Sequence, residues 1–108
     1  MDFKTLGQAS DIPAGTMKAF ALAGKDILVA NIDGKLYAID RYCTHRQGDL
    51  SLGKLEGKIV TCPRHSSQFD ITTGKNVRGP KIGPVRTTTA DESSYSVKID
   101  NGEIRVKI

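Results

Sequence analysis

Short apolar runs that alternate with polar residues dominate this chain. Ile27-Leu-Val-Ala-Asn-Ile32 is a compact apolar segment followed by Asp33-Gly34, a strong two-residue hairpin signal. Lys35-Leu-Tyr-Ala-Ile39 then reads as the returning strand. Near the C-terminus Tyr95, Val97 and Ile99 alternate with Ser94, Ser96 and Lys98. Asn101-Gly102 marks a second tight turn, and Ile104, Val106 and Ile108 alternate with Arg105 and Lys107. A period of two predicts half-buried strands here. Thr16–Leu22, Lys58–Thr61, Gln68–Ile71 and Val85–Thr89 are further strand candidates. No stretch sustains a 3.6-residue apolar period over the length of an ordinary helix. The expected fold is therefore all-β, an antiparallel sandwich or small barrel of short strands. The stretch 41–82 carries denser turn formers and shorter strand signals. It is expected to form a small lobe inserted in a basal β-sheet domain, with residues 1–108 as a single domain.

Composition narrows the function. Of 108 residues, 11 are Gly and 4 are Pro, in keeping with many turns. The chain carries 16 Lys and Arg against 12 Asp and Glu, a net charge of +4. The basic residues are scattered and aromatics are few, so nucleic-acid binding is not expected. A basic face docking an acidic protein partner fits better. The first residues, Met1 to Asp11, show no apolar run behind a positive flank, so a signal peptide is not expected. No apolar run is long enough for a transmembrane helix. A soluble cytoplasmic protein is expected, in a reducing compartment where two cysteines serve as ligands or free thiols rather than a disulfide.

All the Cys and His residues of the chain fall between positions 43 and 65. They form Cys43-Thr44-His45, then sixteen residues, then Cys62-Pro63-Arg64-His65. Each short loop offers one soft thiolate and one imidazole, so two facing loops can hold a metal centre from both sides. Tetrahedral zinc accepts two Cys and two His, but its usual spacing groups the like ligands, often with the His pair on a helix. Mixed loops suit a two-iron centre with thiolates on one iron and imidazoles on the other.

With its flanking residues, this pattern resembles the Rieske iron–sulfur family. The flanks are Leu50-Ser51, Gly53, Gly57, Val60, Phe69-Asp70 and Thr73-Gly74. The resemblance implies antiparallel sheets with a cluster-binding lobe at one tip and one [2Fe–2S] cluster. It also implies that Cys43 and Cys62 ligate the inner iron, and that His45 and His65 ligate the outer iron through Nδ1. With both cysteines spent as ligands, the disulfide found between the cluster loops of the cytochrome-complex branch cannot form. The chain therefore resembles the oxygenase-associated, low-potential branch, near about −150 mV. Ser67 occupies the place where the high-potential branch sets a hydroxyl on a bridging sulfide, whereas Phe69 stands where that branch has a Tyr and cannot donate. Gly79-Pro80 matches the proline-bearing loop that shields the cluster. Ser66 stands where Gly is most common after the second His, and Arg46, Gln47 and Arg64 flank the ligands.

The implied role is a soluble one-electron carrier rather than an enzyme. It would take an electron from a reductase and deliver it to a terminal oxygenase or another acceptor docking at the His45/His65 tip, as a monomer. The alternatives are the Rieske component of an oxygenase complex, a non-redox module sharing the fold, and a zinc-stabilised binding domain. Oxidised iron acidifies bound imidazole more than reduced iron does, so the midpoint potential is expected to fall at alkaline pH. A potential flat from neutral to strongly alkaline pH would refute this.

Overall fold

The computed structural model describes residues 3–44, 48–64, 66–79, 81–82, 85–86 and 90–107. His45, His65 and Pro80 lie outside them. The described elements are strands and two single turns of 3₁₀-helix, Ala9–Asp11 and Leu50–Leu52, in an all-β architecture.

The centre of the molecule is a four-stranded antiparallel sheet. Its strands are β2 (Met17–Leu22), β3 (Lys25–Ile32), β4 (Lys35–Asp40) and β11 (Ser94–Tyr95), in the order β11-β4-β3-β2. The sequence explains why β3 is central. Ile27, Leu28, Val29 and Ala30 are all fully buried, and successive side chains of a strand point to opposite faces. An unbroken apolar run can thus serve two cores at once. Ile27 and Val29 join Ile12, Leu36, Ala38, Ile104 and Val106 in a basal core. Leu28 and Ala30 join Ile39, Cys43, Leu50, Val60, Cys62, Phe69 and Ile71 in a second core.

On the basal side, β1 (Phe3–Gln8), β12 (Val97–Asp100) and β13 (Glu103–Lys107) form a three-stranded sheet in the order β1-β13-β12. On the other side, β5 (Lys54–Glu56), β6 (Ile59–Thr61), β7 (Gln68–Asp70) and β8 (Asn76–Arg78) form a four-stranded meander. A two-residue ladder, β9 (Lys81–Ile82) with β10 (Val85–Arg86), follows.

Both predicted two-residue turns form. Asp33 and Gly34 have φ of 53° and 91°, and Asn101 and Gly102 have 52° and 77°, the paired positive values a type I′ turn requires. The Asn31 carboxamide oxygen accepts the Gly34 amide at 2.7 Å and closes the first of these hairpins. A third such turn, Ala23-Gly24, joins β2 to β3 with φ of 52° and 78°.

Two details differ from the sequence expectation. β1 is not among the strand candidates: its register with β13 shifts between Thr5 and Gly7, a bulge, and its apolar residues show no period of two. Ile99 is 50 % exposed rather than half-buried, because the basal core ends at Val97 on that strand.

Candidate metal centre

The two cysteines end up deep in the protein, in the core that faces away from the basal sheet. Cys43 follows the end of β4 and is 1 % exposed, and Cys62 follows β6 and is 2 % exposed. Neither forms a disulfide among the described residues. They share one apolar core with Leu50, Val60, Phe69 and Ile71, so two positions far apart in sequence meet in one place. His45 and His65, each adjacent to one of these loops in sequence, fall outside the described residues.

Backbone hydrogen bonds shape each loop. The Cys43 amide donates to the Gly48 carbonyl at 2.7 Å, tying the two described ends of the first loop together. The Cys62 amide donates to the Ser67 carbonyl at 2.7 Å, and the Ser66 amide donates to the Cys62 carbonyl at 3.2 Å, closing the second. Ser66 turns the second loop with a φ of 63°, in the left-handed region. That conformation explains physically why glycine suits this position, since only glycine adopts it without Cβ strain.

The loops touch through Gly48. A Cβ built there would sit 2.5 Å from Cys62 Sγ and 3.2 Å from Arg64 Cβ. A groove of about 300 Å³ runs between them, lined by Gly48, Asp49, Leu52, Pro63 and Arg64. Leu52 is 75 % exposed at its edge.

Asp49 anchors the first loop to the central sheet. Its carboxylate accepts from Arg41 Nε at 3.1 Å and Nη2 at 2.9 Å, and from the Ser51 amide at 3.0 Å. The Arg41 hydrogen bond holds this carboxyl below the usual range, against the effect of its partial burial.

Ser67 is fully buried, and its Oγ has no hydrogen-bond partner among the described residues. A buried hydroxyl without a partner is costly. Together with two buried cysteines outside any disulfide, it fits a site whose remaining acceptor would be an inorganic sulfide. Phe69 is fully buried in the same core and, as a hydrocarbon ring, offers no donor.

The sequence reading missed Glu92. It stands in Ala90-Asp-Glu-Ser-Ser94, which reads as an ordinary solvated loop. In the structure it is 4 % exposed. Its Oε1 accepts the Thr44 amide at 2.8 Å. Burial pushes its carboxyl up to about 8; the Thr44 hydrogen bond opposes this and the charge of Asp40 adds to it. Asp40 in turn accepts the Tyr95 hydroxyl, and the Tyr95 hydroxyl group is raised by burial and by that bond. Asp26, Asp40, Tyr42, Cys43, Thr44 and Glu92 line a cleft of about 310 Å³ beside the first loop. A net basic chain thus carries a locally acidic wall at this point.

Comparison with known proteins places the chain in a family. The model of the Rieske [2Fe-2S] domain matches residues 2–89. The ferredoxin component of the naphthalene 1,2-dioxygenase/salicylate 5-hydroxylase systems of Ralstonia sp. is 37 % identical over 98 residues, 91 % of this chain and 88 % of that protein. The Sphingomonas yanoikuyae B1 ferredoxin superposes with a TM-score of 0.83 at 28 % identity, covering 99 % of each chain. A chain from the complex of reduced oxygenase and oxidized ferredoxin in carbazole 1,9a-dioxygenase matches with a TM-score of 0.79 and 28 % identity over 96 % of this chain and 91 % of that one. With the match to the domain model spanning most of the sequence, and two cysteines buried together in one core, the chain belongs to the Rieske [2Fe–2S] domain family.

Proposed function

We propose that this protein is a one-electron carrier holding one [2Fe–2S] cluster, with Cys43 and Cys62 on the inner iron and His45 and His65 on the outer. Two buried cysteines sharing one core, each two or three residues before a histidine in sequence, carry the reading. When bound, the cluster supplies reversible one-electron transfer, and neutral imidazole ligands raise its potential above that of all-thiolate clusters.

The chain's own residues do the rest. Leu50, Val60, Phe69 and Ile71 keep water from the thiolates. The Ser67 hydroxyl is available to donate to a sulfide, which would favour the reduced state. The loops carrying the histidines, with the groove beside Leu52 and Arg64, form the surface where partners would dock through a small interface suited to turnover. A reductase is the proposed donor, and a terminal oxygenase or another redox protein the acceptor. The ferredoxin–oxygenase complex of a structural neighbour supports that pairing. Residues 1–108 act in this reading as a monomeric single domain with a cluster-binding lobe at about 41–82. The cytoplasm is the proposed compartment, because thiols there stay reduced and no helix among the described residues is long and apolar enough to cross a membrane.

The test is the electron paramagnetic resonance spectrum of the reduced protein, with iron and sulfide analysis on the same sample. A rhombic signal with average g below that of all-cysteine clusters, and two irons and two sulfides per chain, is the expected result. A colourless protein containing zinc would overturn it.

A further inference from the structure

The segment Ala90–Ser93 is hydrogen-bonded to three parts of the molecule at once. The Asp40 amide, at the end of β4, donates to the Ser93 carbonyl at 3.0 Å. The Glu92 amide donates to the Gly74 carbonyl at 2.7 Å, and the Asp91 carboxylate accepts the Asn76 amide at 2.7 Å, both in the lobe. The Thr44 hydroxyl donates to the Ala90 carbonyl at 2.6 Å. Gly74 has no room for a side chain, since a Cβ there would lie 2.3 Å from the Glu92 carbonyl oxygen. The backbone of Glu92 is therefore held tightly against the lobe, and its side chain reaches to Thr44, 48 residues away in sequence.

That side chain is an unexpected choice. Burying a carboxyl is unfavourable unless it is fully hydrogen-bonded. Yet Glu92 Oε2 has no partner among the described residues. The hydrogen bond that Oε1 accepts comes from the amide of Thr44, the residue between the proposed ligands Cys43 and His45. A costly group retained for one bond points to what that bond does.

We infer that Glu92 is a positioning residue for the metal centre: its carboxyl oxygen pins the Thr44 amide and so sets the direction in which the adjacent Cys43 presents its sulfur. The inference rests on the cluster reading above. What matters is an acceptor at the reach of a glutamate side chain, not its charge. Glutamine keeps the reach and the acceptor oxygen but is not a carboxyl. Aspartate keeps the carboxyl but is one methylene too short.

The experiment compares holoprotein of the wild type with E92Q, E92D, E92A and D91A. Bleaching of the visible absorbance by a ferrous chelator gives the rate of cluster loss, and far-ultraviolet circular dichroism in urea gives fold stability. E92Q is expected to bleach within about twofold of the wild type, and E92A and E92D about tenfold faster, the scale of losing a group that orients a ligand. D91A removes a bond of the same segment that does not reach the ligand loop, and is expected to bleach at the wild-type rate. If E92A does not fold, the order of E92Q and E92D decides the matter. Fast bleaching of E92Q beside a slow E92D would overturn the inference, because the carboxyl group itself rather than its reach would matter. Equal acceleration in D91A would also overturn it, by showing only a general weakening of the segment. A wild type that takes up no iron would overturn the cluster reading itself, whereas a stable wild-type cluster with unchanged E92A overturns this inference alone.

Discussion

At the scale of single residues, Gly48 and Ser67 say most about the centre. Gly48 has no side chain because the space is taken by Cys62 Sγ, at 2.5 Å from where a Cβ would lie. A free cysteine could swing away from an added methyl group, but a thiolate fixed on iron could not. Gly48→Ala is therefore expected to lower iron affinity by roughly tenfold or more, seen as a fall in visible absorbance per chain. The pattern of Cys and His named the ligand candidates, because side-chain chemistry and spacing are written directly in sequence. The role of Glu92 was not legible in the same way. Its neighbours Asp91 and Ser93 look equally solvated in sequence, and only the long-range contact with Thr44 distinguishes it.

At the scale of elements, turns and caps decide the local geometry. The Asp-Gly and Asn-Gly turns were readable because those residues tolerate positive φ. The Ala23-Gly24 turn was not, because alanine is an uncommon choice at a φ of 52°. Ala23→Asn is expected to stabilise the fold by about 0.5–1 kcal/mol, read as a higher urea midpoint, since asparagine occupies the left-handed region more readily. The turn Leu50–Leu52 depends on Asp49, which accepts from Ser51 and from Arg41. The folded-state pKa of Asp49 is lowered, so the folded protein binds fewer protons than the unfolded chain near pH 4. The stabilisation is complete above the unfolded pKa and is lost as pH falls through the folded value. Asp49→Asn is expected to cost about 1–2 kcal/mol at pH 7. Its urea midpoint should approach that of the wild type only as pH falls below about 4, through the lowered folded-state value.

At the scale of the whole molecule, β3 divides two cores, and the division is testable. Leu28 and Ile104 are both fully buried, on opposite sides of it. Leu28→Ala and Ile104→Ala should each cost about 2–5 kcal/mol of stability in urea titration. Only Leu28→Ala should also hasten cluster loss, because Leu28 packs in the core that holds both cysteines. Equal cluster loss in the two variants would contradict a functional separation of the cores. The sequence by itself determined the all-β class, the hairpins at Asp33-Gly34 and Asn101-Gly102, and the Cys and His ligand candidates. Those depend on alternation, turn chemistry and donor type, all local properties. Tertiary structure alone decided that the Ile27–Ala30 run faces two cores, that β1 joins β13 through a bulge, and that Gly48 abuts Cys62. It alone brought the Glu92 carboxyl to the Thr44 amide. Each of these is a contact between distant segments, set by how sheets pack, and no local pattern encodes it.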